Sequence, residues 1–410
     1  MKTITIATTS ICLAAALGAS AAMALETEGY MRLGGGGSSG SKSQQCFKLP
    51  GASSKYRLGN ECEQLVELGA WQDFFKLDDG SQVGVYGMGQ LFNDYDHTPR
   101  FDGEHGRVRL VQGYGYWRDV AALNGGSLWV GRRYYKRNAI DISDFFYWNQ
   151  SATGGGIEDV KIGDLRYSYA FSRKDNFDQT RYINRHDFNV AGFVTNPGGE
   201  LELGASYIDK PSWQKNANSG WSLTAQHKQS DFLGLGGVNT LALQYGAGPG
   251  NALGSTGDVS LDRDNTSYRL VEFFDWQTTP RWGGQLQALY QKDSRPDDHD
   301  QHWISVGGRT VYGFTDQFKF ATELGHDRVE ASGGTRTLTK LTLAPTWSPS
   351  GSTFKGAHPE IRFYTTYAVW NRAAQRAASE LVAGSALSDT GSFGSNRHGL
   401  NFGVQLEHSW

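Results

Sequence analysis

Long hydrophobic runs are missing from this chain of 410 residues, and so is any excess of one charge. A helical membrane protein needs about 20 consecutive apolar residues per span, so that class is excluded. Lys and Arg number 39 against 42 Asp and Glu, a formal charge of −3, without the basic footprint of a nucleic-acid binder. Proline is scarce, at 10, and cysteine scarcer, at 3. The mature chain has no Cys-x-x-Cys, no His-Glu-x-x-His and no phosphate-cradling loop. What is present is glycine (53) and aromatics (12 Trp, 19 Tyr, 21 Phe), too many rings for a disordered chain. The glycines lack the every-third-residue period of collagen. One large globular unit or one water-compatible membrane unit remains.

Residues 1–24 read as a cleaved secretory signal. Lys2 gives the positive n-region, Ile4 to Leu17 the apolar stretch, and Ala22-Met23-Ala24 a small-x-small site, with cleavage expected after Ala24. A short anchor is the alternative. Cys12 leaves with the signal, so Cys46 and Cys62 remain as an isolated pair. In a secreted chain they are expected to form a local disulfide, worth roughly 3 kcal/mol in the chain-entropy model. Two thiols without a nearby His are too few for a metal site.

The body, 25–410, alternates with period two. Leu201, Leu203, Ala205 and Tyr207 are interleaved with Glu202, Gly204 and Ser206; Ile361, Phe363, Thr365, Tyr367 and Val369 with Glu360, Arg362, Tyr364, Thr366 and Ala368. Successive strand side chains point to opposite faces, so each run has an apolar and a polar face. A β-sandwich alternates too. Three features favour an antiparallel transmembrane barrel. Short turn signals, such as Asp78-Asp79-Gly80, Asn196-Pro197-Gly198-Gly199 and Ser348-Pro349-Ser350-Gly351, take turns with longer polar segments, such as 33–45, 149–157, 326–336 and 371–398. Eight short and nine long connections join about eighteen strands, with short periplasmic turns and long external loops. Tryptophans at 117, 129, 148, 221, 282, 303, 347 and 370 fall near strand ends, as interfacial girdles do. The chain ends Phe402, Val404, Leu406, His408, Trp410 on one face, and a terminal strand closing on an aromatic resembles an outer-membrane assembly signal. Eighteen strands leave an aqueous lumen.

The segment Cys46 to Glu63, CFKLPGASSKYRLGNECE, closely resembles the first external loop of the maltoporins. So does Gly29-Tyr30-Met31-Arg32 before it. Gly131-Arg132-Arg133-Tyr134-Tyr135-Lys136-Arg137, continuing to Asp144-Phe145-Phe146-Tyr147-Trp148, is similar to their constriction segment, and the blocks starting at Asn196 and Phe402 match as well. The resemblance implies a homotrimeric sugar channel in the outer membrane of a Gram-negative bacterium. Malto-oligosaccharides would cross it by facilitated diffusion, with no catalytic step and no cofactor, past a loop at about 137–157 folded in as a constriction. Aromatics would take the C–H faces of glucose rings and charged side chains their hydroxyls.

Carried over position by position, the aromatic path is Tyr30, Tyr95, Phe146 and Phe354, with Tyr95 matching a loop-tip ring that reaches into a neighbouring subunit. The polar track is Arg32, Arg57, Glu67, Arg107 (Arg109 aligning nearly as well), Arg137, Asp141 and Asp144. Leu65, Val238 and Ser409 stand where further rings are expected, Phe146 lacks a hydroxyl, and Asp141 stands in for an aspartate lost at Ala139. The entrance half of the path is intact and the exit half thinned.

Other readings stay open. The track arginines and Glu67 could be wall salt bridges, and Tyr30 an ordinary wall ring. Asp297-Asp298-His299-Asp300 resembles a hard-cation loop but suits a solvated one; His97 and His105 suit exposed polar positions. A porin for another sugar or for small solutes generally is the nearest functional alternative, and a secreted sugar-binding or hydrolytic β-sandwich the distant one. Lipid contacts follow from a barrel, and external loops could serve as phage or partner receptors.

Overall fold

The computed structural model describes residues 25–40, 42–95, 97, 106–175, 181–296, 299–349 and 358–410. Eighteen strands form its wall: β1 (Glu26–Ser38), β2 (Glu63–Lys76), β3 (Gln82–Asp94), β4 (Gly106–Val120), β5 (Gly126–Arg133), β6 (Ala152–Ile162), β7 (Leu165–Lys174), β8 (Arg185–Asn196) and β9 (Gly199–Ile208). The second half comprises β10 (Gly220–Ser230), β11 (Val238–Ala247), β12 (Thr266–Thr279), β13 (Trp282–Ser294), β14 (Gln301–Gly313), β15 (Phe318–Ala331), β16 (Gly334–Trp347), β17 (Glu360–Trp370) and β18 (His398–Ser409). Each pairs antiparallel with its neighbours in sequence. The ring closes where β1 pairs with β18, from Tyr30 opposite Ser409 to Ser38 opposite Asn401. Closure leaves no strand edge unpaired, which a spanning sheet requires in hydrocarbon. Among the described residues no helix is long and apolar enough to cross a membrane.

The wall is inside out relative to a soluble sandwich. On β16, Leu341 and Leu343 are 41% and 43% exposed, while Lys340 and Thr342 between them are 2% and 0% exposed. β17 repeats this, with Phe363, Tyr367 and Val369 outward and Arg362, Tyr364 and Thr366 buried. Apolar groups therefore face out along the wall and polar groups face a lumen packed with inward-folded loops. That is the arrangement of a barrel whose outer solvent is lipid.

Trp410 lies on the seam. Its backbone exchanges two hydrogen bonds with Gly29, both 3.1 Å, and its ring occupies the space a Cβ on Gly29 would fill.

Sequence expectations need correction at two connections. The segment 326–336 is not a long loop. β15 and β16 continue as a hairpin to a turn at residues 332–333, where Gly333 takes φ +91°. Its outward side chains become polar toward the tip, which in sequence resembles a loop. Of the short turn expected at 348–351, Ser350 and Gly351 lie outside the described residues; β16 ends at Trp347 and β17 begins at Glu360. Residues 152–157, assigned to the constriction loop, belong to β6; the inward segment is 134–151. The tryptophan girdle also splits. Trp221 and Trp282 are exposed outward, but Trp129, Trp148, Trp303 and Trp370 are buried. On a strand, parity decides the face, and these last rings have inward or loop positions. Outward rings come largely from Tyr207, Tyr312, Phe318 and Tyr367.

Placing a cation among the outward leucines tests the inside-out reading. Leu343→Arg is expected to destabilise the barrel by about 2 kcal/mol in urea titrations from lipid vesicles. An unchanged midpoint would place that face in water.

Candidate functional site

The lumen is narrowed by two inward segments. The first is loop 1 (residues 39–62), cinched by the Cys46–Cys62 disulfide. Its Phe47 stacks on Phe393 at 5.4 Å and packs against Trp370 at 6.0 Å. Its Tyr56 ring lies flat on Gly307 and Gly325, where any Cβ would overlap it. The Leu58 amide donates to Glu323 (3.0 Å), and its carbonyl accepts from Lys340 Nζ (2.9 Å) and Thr342 Oγ1 (3.0 Å). The loop thus lines the inner faces of β14 to β17 and satisfies its own backbone there.

Where loop 1 returns to β2 it meets the seam, and several residues singled out in the sequence converge. Arg57 pairs with Glu61 (2.8 Å) and Glu407 (2.9 Å) and donates to the Tyr30 hydroxyl (2.9 Å). Tyr30 in turn donates to Glu407 (2.7 Å). Arg32, 3% exposed, pairs with Glu61 and Glu63, each at 2.6 Å. Arg362 pairs with Glu407 and Glu360, and Glu360 with Lys319. Cations and carboxylates balance, so the buried charges are matched; removing one member of such a group costs about 3–5 kcal/mol. Tyr30, Arg32 and Arg57 are therefore brought together by the network that docks loop 1.

Tyr95 joins the same corner. It follows β3 directly, its amide donates to Cys62 O (2.9 Å), and its hydroxyl accepts from Gln405 at 3.4 Å. It turns into its own barrel instead of reaching outward from a loop tip, because the backbone bond to Cys62 fixes it at the wall.

The second inward segment is loop 3 (residues 134–151). It carries a short hairpin, Arg137–Ile140 against Phe145–Asn149, with Asp144 left-handed at φ 48°. The buried face of this hairpin grips the far wall. The Ile142 amide donates to Gln285 (3.0 Å), Ser143 Oγ to Gln287 (2.7 Å), and Tyr147 to Gln226, while Arg269 donates to Tyr147 O (2.8 Å). Trp148 fills the space above Gly204. Loops 1 and 3 touch where the Arg57 amide donates to Ile142 O (3.0 Å).

The open face of loop 3 carries Arg137, whose guanidinium lies 4.1 Å from the Tyr134 ring centre and 3.9 Å from that of Phe146. Tyr134 OH donates to Glu67 (3.2 Å), which also accepts from Gln90 (2.8 Å). Burial, and then the Glu67 carboxylate, push the Tyr134 phenol up to about 12. Asp141 and Asp144, on the same loop, are exposed. Arg137, Phe146, Asp141 and Asp144 thus lie on loop 3, and Glu67 is joined to it through Tyr134.

Cross-strand register sorts the remaining candidates. Arg32, Leu65, Phe92 and Arg107 form one inward row, and Tyr30, Glu67, Gln90 and Arg109 the next. Arg107 and Arg109 both face the lumen, one row apart. Phe92 on the adjacent strand places a ring directly opposite Leu65. Sequence reasoning missed Phe92 and Tyr134. Phe92 needs the register to be seen, whereas Tyr134 was visible inside an Arg- and Lys-rich run. Val238 lines a recess of about 620 Å³ at the short-turn end with Lys136, Arg166, Glu200 and Lys228, and no aromatic lines it. Phe354, Asp297, Asp298 and His105 lie outside the described residues.

The seam network makes a pH prediction. Burial opposes the charge on Glu61, but Arg57 and then Arg32 outweigh it and hold the carboxyl below its usual range. A value depressed on folding contributes stability above the unfolded value and loses it as pH falls through the folded one. Loop 1 is expected to stay docked down to about pH 4, near the ordinary glutamate value, and to loosen below it. Hydrogen exchange across 44–62 reports this, and Glu61→Gln should bring the loosening to neutral pH. Equal protection at pH 3 and pH 7 would exclude the network as the latch.

Comparison with known proteins agrees with this geometry. The fold is similar to OccK2 (OpdF) of Pseudomonas aeruginosa, with a TM-score of 0.53 at 12% identity over 94% of this chain and 97% of that one. It is also similar to OccAB1 of Acinetobacter baumannii, at 0.52 and 12% over 94% and 96%, and to OccAB2 of the same organism, at 0.52 and 10% over 94% and 98%. These likenesses concern the fold. The family model of the LamB porins matches residues 25–410. A closed eighteen-strand barrel with an apolar exterior and inward-folded loops, matched to that family over its whole described length, belongs to the LamB porin family and is an outer-membrane porin.

Proposed function

We propose that this porin passes malto-oligosaccharides by facilitated diffusion, and that recognition is concentrated at loop 3. The observation supporting this is the Tyr134–Arg137–Phe146 stack with Asp141, Asp144 and Glu67 around it. A sugar ring offers C–H faces and a hydroxyl rim. The stack offers rings for the first, and the carboxylates and guanidinium replace water at the second. Loop 3 acts as the constriction. Tyr30, Arg32 and Arg57 act mainly in holding loop 1, so the slide is shorter than the resemblance implies, and binding is weak and release fast. No bond of the solute is made or broken.

A second reading has one observation in its favour. The exit recess is lined by matched charges, Arg166 with Glu200 (2.6 Å) and Lys136 with Glu202 (2.9 Å), and by no ring. That lining suits a compact hydrophilic solute as well as a glucan. Maltohexaose titration of single channels in a planar bilayer separates the two. Saturable block, weakened roughly tenfold by Phe146→Ala, is the expected result. Steady current at every maltohexaose concentration would reject the glucan and leave the compact solute.

The functional unit is a homotrimer in this reading, exported by removal of residues 1–24 and assembled through the Trp410 strand. Its contact face is the outer surface of β3 and β4. Gly87 and Gly113 pair there with Gly89 and Gly115 nearby, and a Cβ on Gly87 or Gly89 would meet nothing. So flat a surface admits a second barrel closely. Gly113→Trp should convert the heat-sensitive trimer on gels to monomer while leaving the barrel folded; an intact trimer would move the interface elsewhere.

A further inference from the structure

The outer surface of β7 to β11 carries a column of side chains that the pore does not use. Register places its rows. Phe171, His186, Tyr207 and Trp221 share one outward row at the long-loop end of their strands. The ladder runs one row further, since the Ile183 amide bonds Arg173 O (3.1 Å) and the Asp209 amide bonds Asn184 O (3.0 Å). Arg173, Asn184 and Asp209 therefore form the next outward row, directly above the aromatic one. Arg173 Nε donates to Asn184 (3.2 Å), and Asn184 Nδ2 to Asp209 (3.3 Å).

Above this row is a recess of about 370 Å³ between Tyr182 and Asn184 on one side and residues 209–213 on the other. Tyr182 and Trp213 stand on its lip, 55% and 39% exposed and joined by a hydrogen bond from Trp213 Nε1 to Tyr182 O (3.0 Å). Cations lie against both rings, Arg173 at 4.0 Å from Tyr182 and Arg181 at 5.2 Å from Trp213. Lys210 lines the recess as well. Among the described residues here, Arg173, Arg181 and Lys210 are set against Asp209, which also accepts from Asn184 and contacts His186 (3.4 Å).

Below the aromatic row, the same strands form an outward apolar groove of about 480 Å³. Ala205 and Ala225 floor it, and Phe188, Leu203, Leu223 and Leu243 wall it. Asn184 in the recess row and Phe188 at the top of the groove are four residues apart on one strand, roughly 13 Å at ~3.3 Å per residue. A cationic, ring-lipped pocket therefore sits one aromatic row above an apolar trough, on the face that meets lipid and on the side of the long external loops.

We propose that this column is a binding site for a phosphorylated glycolipid of the outer leaflet. Its phosphate sits among Arg173, Arg181 and Lys210, its sugar against Tyr182 and Trp213, and one acyl chain lies in the groove. Arginine forks suit phosphate oxygens, and exposed rings suit sugar faces. The groove commits the occupant to a lipid, since free phosphate has no use for it. The site does not depend on which solute the pore passes.

The test uses the full mature protein in mild detergent and native mass spectrometry. The probes are a bis-phosphorylated glucosamine-disaccharide lipid, the same lipid without phosphates, and inorganic phosphate. The variants are Arg173→Glu/Lys210→Glu for the recess and Ala205→Leu/Ala225→Leu for the groove. All four positions face away from the lumen, so single-channel conductance serves as the folding control. The wild type should retain the phosphorylated lipid, and each double variant should retain roughly tenfold less or lower. Equal retention by all three proteins, or equal retention of the phosphate-free lipid, would reduce the column to ordinary annular contact and overturn the proposal. So would a groove variant that binds as well as the wild type, or displacement by millimolar inorganic phosphate, which would mark a phosphate site only.

Discussion

Everything in this molecule follows from the pairing of its first strand with its last. In hydrocarbon a peptide group has no water to turn to, so the sheet must close and β1 must find β18. Closure turns the strands' alternate faces into an apolar exterior and a polar interior. The polar interior in turn determines what the long loops can do: loops 1 and 3 find a wall of Gln, Thr, Lys and Glu side chains, and their backbones bond to it instead of to water.

The same logic makes charge in the lumen structural as well as functional. A buried guanidinium requires carboxylates and a buried carboxylate requires cations. The seam meets both requirements with Arg32, Arg57 and Arg362 set against Glu61, Glu63, Glu360 and Glu407. In sequence, these arginines are indistinguishable from free hydrogen-bond donors lining a channel. In space they are anchors. Around loop 3 the arrangement differs: Arg137 is held by ring faces, and Asp141 and Asp144 are exposed.

The barrel was legible in the sequence because period-two alternation and the rhythm of turns depend on local residues alone. The strand number followed from the same rhythm, although 326–336 was misread as a long loop. That arose because a hairpin rising above the membrane has polar side chains on its outer face and so reads as a loop. The Cys46–Cys62 link was legible too, since no other partner remained for either thiol. The site was legible only as a set of residues. Which of them would meet depended on register: Phe92 sets a ring opposite Leu65 from a different strand, and Tyr95 turns inward because of one backbone bond to Cys62. No spacing along the chain encodes either fact. The tryptophans show the same limit, because a one-residue change of parity moves a ring from the lipid face to the lumen.

Loop 1 is made early in the chain, yet its latch includes Glu407, 350 residues beyond Arg57. Until the final strand arrives, Arg57 lacks that carboxylate, Tyr30 lacks its acceptor, and Arg362 lacks the acid that completes its set. The disulfide can hold the loop compact during this interval, but it cannot seat it. Latching of loop 1 at the Arg57 corner is therefore a readout of barrel completion: a barrel stalled one strand short would remain open at the seam with that corner of the loop unlatched.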